Sequence, residues 1–132
     1  VDPRIKRLEK EAHFSPLHAH AYVESEGNCV FCGFDLIDTP QRYSMGTIDH
    51  LLPRSRYEHL ADHKANHVLS CLRCNGLKSG FCGLEPGEDA EDMLEHHRDV
   101  LISRAVSYLE AAVPRLNGEW SQAKEILRDK RH

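Results

Sequence analysis

Cys29-Val-Phe-Cys32-Gly33 and Cys71-Leu-Arg-Cys74-Asn75 are two Cys-x-x-Cys knuckles, with 38 residues between Cys32 and Cys71. Two such turns can converge four thiolates on one tetrahedral Zn²⁺, and the gap between them holds a small subdomain rather than a bare finger loop. The competing reading is a pair of redox dithiols or disulfides. A disulfide framework does not suit 132 residues with five cysteines and no signal-peptide pattern opening the sequence. The expectation is therefore a structural zinc on Cys29, Cys32, Cys71 and Cys74, tying residue 29 to residue 74, with Cys82 left as a free thiol. Inside that frame lies Thr47-Ile-Asp49-His50-Leu-Leu-Pro53-Arg54-Ser-Arg56. A carboxylate and an imidazole stand side by side where a β-branched run should end. A carboxylate is a hard oxygen ligand, and an imidazole with a pKa near 6.5 is available as a base around neutral pH. With 10 histidines in the chain, the pair by itself is also compatible with accident.

Cleaving a phosphodiester requires an activated water, charge neutralisation on the transition state and help for the leaving oxygen. A divalent cation supplies the last two, and a histidine kept off the metal takes the proton from water. Adjacent side chains on a strand point to opposite faces, so an Asp-His pair at a strand's end can be divided between ion and water.

The ordered string Cys29-x-x-Cys32-Gly33, Asp49-His50-x-x-Pro53-Arg54-Ser55, Asn66-x-Val68-x-x-Cys71-x-x-Cys74-Asn75-x-x-Lys78 resembles the HNH endonuclease family, in its four-cysteine zinc-bearing branch. The resemblance implies an α+β fold with a ββα-metal core, Asp49 and His50 closing the first strand, Asn66 before the second, and Asn75 on the helix. It implies a metal-dependent endonuclease acting on DNA, with His50 as general base and Asn66 orienting its imidazole. Asp49 and Asn75 would ligate the catalytic ion. Many members carry His where this chain has Asn75, and two oxygen ligands favour Mg²⁺ or Mn²⁺. Lys78, Arg54 and Arg56 are candidates for phosphate contacts. The alternative is a zinc-scaffolded module that binds nucleic acid or protein without activity. His59 and His63 have helical i, i+4 spacing but lack a metalloprotease Glu, so a second metal site is not expected from them.

These residues need elements to hold them. Residues 1–27 read as helical: Ile5, Leu8 and Ala12 at helical spacing, then Ser15-Pro16 opening a second helix to about Ser25. Residues 28–80 read as the zinc-framed core, with short strands and turns from Cys29 to about Ile48, a strand ending at Asp49, a polar loop from Pro53 to Asn66, a second strand at Val68–Ser70 and a helix from Cys71 stopped by Gly80. Glu88 to Val113 reads as one amphipathic helix ended by Pro114 and Asn117-Gly118, followed by a last helix within Glu119–Lys130. The whole is one domain by length.

The formal net charge is −4, which argues against coating nucleic acid by bulk electrostatics. Between Arg42 and Lys78, however, six Lys or Arg face three acids, a local +3 that leaves −7 for the rest. A polyanion held at one place fits that distribution. No apolar run approaches a membrane span, and reduced cysteines suit an intracellular (cytoplasmic) protein. The acidic helical flanks are candidate surfaces for a protein partner or a homodimer.

Overall fold

A computed structural model describes residues 1–131. The molecule is α+β. Two N-terminal helices, α1 (Pro3–Glu11) and α2 (Pro16–Glu24), precede a four-residue turn of helix, α3 (Pro40–Tyr43). Strand β1 (Gly46–His50), strand β2 (His67–Cys71) and helix α4 (Leu72–Lys78) follow, and α5 (Ala90–His96) and α6 (Arg98–Leu127) complete the chain. Both N-terminal helices start as their sequences dictate: Asp2 and Ser15 accept from the N–H groups of Arg4 and His18, and prolines occupy the first helical positions. Gly27 ends the second of them with a φ of +77°, where a Cβ would also collide with Ile37.

β1 and β2 pair antiparallel from Gly46↔Cys71 to His50↔His67. The second strand is buried throughout its length. It packs on α2, whose buried Ala19 and Ala21 have small side chains that allow close approach, and α4 packs against both strands. Leu36, Leu52, Leu69, Leu94 and Leu101 fill the centre. Arg98, the first residue of α6, stitches these parts together. Its guanidinium donates to the carbonyls of Ala65 (2.8 Å) and His67 (3.2 Å) and pairs with Glu24.

Three expectations from sequence differ from the structure. The stretch from Cys29 to Met45 contains no strand: it is a run of turns with one isolated bridge, Asn28↔Asp35, and then α3. Sulfur-bearing knuckles need tight turns, and Gly33 at φ +77° lets the first one close. The C-terminal helix is broken earlier than expected, at His97 (φ −135°), which lets Met93 and Leu94 reach the core from α5 and Leu101 from α6. It also continues through Pro114 and Gly118 to Leu127. Pro114 sits on the exposed side. An Arg115–Glu119 ion pair and a Lys124–Trp120 cation–π contact carry the i, i+4 pattern past it.

Candidate active site

The four knuckle sulfurs lie within 4.8 Å of one another. Cys32 and Cys71 Sγ are 3.8 Å apart, far beyond a disulfide bond and equal to the edge of a tetrahedron whose centre-to-sulfur distance is about 2.3 Å. Each knuckle is built by local structure. In the first, the N–H of Gly33 donates to Cys29 O (2.8 Å) and that of Val30 to Leu69 O (2.9 Å), fastening the turn to β2. In the second, Cys71 is the N-cap of α4 and its sulfur accepts from Cys74 N–H, so a helix N-terminus faces the cluster. Burial and the neighbouring sulfurs push the Cys74 thiol well up. Burial also raises Cys29, but the N–H groups of Cys71, Cys32 and Phe31 more than offset it and bring that thiol down. Four crowded sulfurs that resist joint ionisation, arranged at zinc-thiolate spacing, form a site completed by a soft divalent cation.

The Asp49–His50 pair closes β1, as expected, directly beside α4. Asp49 Oδ1 accepts from His50 N–H (2.8 Å). Its Oδ2 is buried with no aligned hydrogen bond, although the Lys78 ammonium lies 3.3 Å away. A buried carboxylate oxygen with an unfilled lone pair suits a cation. Asn75 precedes Lys78 by three residues on α4, the spacing of neighbours on one helix face.

His50 Nε2 lies 3.0 Å from Ala61 O. A carbonyl only accepts, so Nε2 carries the proton and Nδ1 holds the free lone pair of the neutral ring. Asn66 does not touch the imidazole. It is fully buried; its Oδ1 accepts from Leu52 N–H (2.7 Å), and its Nδ2 donates to Leu60 O (3.1 Å) and Leu52 O (3.3 Å). It therefore pins both ends of the 52–60 loop and holds Ala61, next in the chain, against His50.

Lys78 is 1% exposed and gives its ammonium to His50 O (2.8 Å) and Asp49, a position from which it holds the strand's end and reaches no ligand arriving from solvent. Arg54 is exposed and without a partner among the described residues. Arg56 is exposed and donates to Gly80 O (3.1 Å). One contributor escaped sequence reading. The Ala61 carbonyl has no side-chain signature at all. His67 faces His50 across the ladder with ring centroids 4.7 Å apart, and donates from Nδ1 to His63 O. Adjacency to Asn66 singles His67 out in the sequence, and the strand register supplies the pairing with His50. Burial and the nearby His50 lower its pKa. The remaining cluster, His63 with Glu91 and Glu95, is satisfied internally: Nδ1 accepts from Ala65 N–H and Nε2 faces Glu95.

No curated protein matches the chain. The family model described as HNH endonuclease matches residues 29–81, a span that includes both knuckles, β1, β2 and α4. The central segment of this chain is thus similar to HNH endonuclease domains, and the helical flanks lie outside the match.

Proposed function

We propose that the protein is a metal-dependent endonuclease that hydrolyses phosphodiester bonds in DNA, with His50 as the general base. The observation that carries this reading is the division of labour at the end of β1. His50 is fixed through Nε2 to Ala61 O with Nδ1 free, while Asp49 turns an unsatisfied buried oxygen toward α4. His50 takes the proton of the attacking water at Nδ1, and the Ala61 carbonyl steadies the imidazolium that results. Asp49 and Asn75 hold the catalytic ion, and Asn66 is a positioning residue acting through the 52–61 segment. Lys78 compensates the charge of Asp49 and fixes the His50 carbonyl. Arg54 and Arg56, both exposed on the loop beyond, bind flanking phosphates. When bound, the divalent ion supplies charge neutralisation at the phosphate and at the leaving oxygen. The zinc on the four cysteines is structural.

One observation favours the alternative, a binding module without activity: a cation, Lys78, already faces Asp49. Plasmid nicking in Mg²⁺ or Mn²⁺ separates the two. The proposal expects ion-dependent conversion of supercoiled to open-circular DNA. Binding of DNA with no conversion in any divalent ion would favour the module.

A further inference from the structure

A recess of about 520 Å³ lies along β1 immediately before the catalytic pair, lined by His13, Phe14, His18, Tyr22, Tyr43 and Ile48, among others. That volume falls within the range of small-molecule sites. We propose that it receives one nucleobase, unstacked from the strand whose phosphate is presented to Asp49 and His50; the proposal rests on the nuclease reading above.

Four features point to a base. First, the lining contains no Lys, Arg, Asp or Glu, which suits an uncharged planar ring rather than a phosphate. Second, Tyr43 is 47% exposed although it contacts Tyr22 at 6.1 Å, so much of its ring is open to a ligand. Phe14 and Tyr22, edge to face at 5.1 Å, stand as a braced wall.

Third, the recess meets three successive residues of β1 and none of β2, so it follows the unpaired edge of the sheet. Leu51 N–H bonds Asn66 O and Leu72 N–H bonds Met45 O, bracketing the ladder. In that antiparallel register Thr47 and Asp49 face β2, while Gly46, Ile48 and His50 turn their N–H and C=O outward. His50 uses its outward carbonyl for Lys78. Ile48 presents one donor and one acceptor to the recess, the complement of a base edge. Fourth, the wall depends on a bare glycine: a Cβ on Gly46 would stand 3.0 Å from the Tyr22 hydroxyl.

Ile48 adjoins Asp49 in the chain, and Thr47 is two residues away on the same strand face, about 6–7 Å along it. The recess therefore lies within one nucleotide's reach of the scissile phosphate. Its consequence is a substrate class. A strand whose base is free to leave the stack, at a bulge, mismatch or single-stranded stretch, is favoured over perfect duplex.

The test is binding, read by fluorescence anisotropy in the non-cutting His50→Ala background, to three labelled duplexes: one with a single-nucleotide bulge, one with that nucleotide abasic, one fully paired. The bulge should bind between about fivefold and a hundredfold more tightly than the abasic and paired forms, the range of a base stacked on an aromatic ring. Tyr43→Ala in the same background should abolish the difference and Tyr43→Phe should keep it. Gly46→Ala, whose Cβ would displace the Tyr22 hydroxyl in the lining, should weaken the difference. Equal binding of bulged and abasic DNA, no binding of any of the three, or a preference that survives Tyr43→Ala would overturn the proposal. Intact protein assayed in parallel for Mn²⁺-dependent cutting keeps the two readings apart. Base discrimination without cutting overturns the nuclease alone, and cutting without discrimination overturns the recess alone.

Discussion

Lys78 shows how a single residue changes meaning between sequence and structure. As a charge in a basic segment it reads as a phosphate contact, yet a four-carbon stem on α4 carries its ammonium inward to Asp49 and the His50 carbonyl. Breaking a buried pair by removing one partner leaves an uncompensated charge. Lys78→Met should therefore destabilise the protein by about 3–5 kcal/mol in urea unfolding. A change within about 0.5 kcal/mol, the usual range for a surface substitution, would mean that Asp49 is solvated or protonated instead. For Asn66 the resemblance implied that it orients the His50 imidazole through hydrogen bonding, and the structure has it pinning the loop that carries Ala61. Side-chain identity was readable at both positions. Direction was not, because it depends on how α4 and the 52–60 loop pack against the end of β1.

At the scale of elements, the parts closest to the chemistry were the most legible. The strand ending in Asp49-His50, the second strand and α4 follow from cysteine spacing and residue pattern, because the knuckles constrain both ends of the segment. The C-terminal flank was less so. Pro114 and Asn117-Gly118 carry strong stop signals, yet α6 runs on to Leu127. Its buried positions end at Leu109, and Trp120 beyond them is 60% exposed. Removal of residues 114–131 should accordingly leave the melting temperature of the core within about 4 °C, a shift worth about 1 kcal/mol or less; a loss of 10 °C or more would show that the tail is packed in solution. The zinc frame should behave in the opposite way. Chelation, or Cys74→Ser, should release about one zinc per chain and abolish cooperative unfolding of the centre, since structural zinc contributes folding free energy directly. Near-UV dichroism that survives complete zinc removal would contradict the four-cysteine assignment.

For the molecule as a whole, charge and protonation set the working range. Burial lowers the pKa of both His67 and His20, with the neighbouring His50 lowering the former further. Their native-state pKa values lie below those of the unfolded chain, so the unfolded state binds more protons. The stability they contribute is full above the unfolded value near 6.5 and is lost as pH falls through it toward the native values. With zinc in excess, the melting temperature should fall from pH 7 to pH 5.5, and His67→Gln should flatten that decline; an unchanged slope would place the loss elsewhere. No helix among the described residues is long and apolar enough to cross a membrane. The segment from Arg42 to Lys78 carries a local +3 on an otherwise acidic protein, a distribution that would favour a polyanion there over the rest of the surface. The most direct measurement of the central claim is the rate of plasmid nicking at saturating Mn²⁺ by the intact protein and by His50→Ala, with zinc content matched. Loss of a general base predicts a fall of at least about a hundredfold. Equal rates for the two proteins would contradict it.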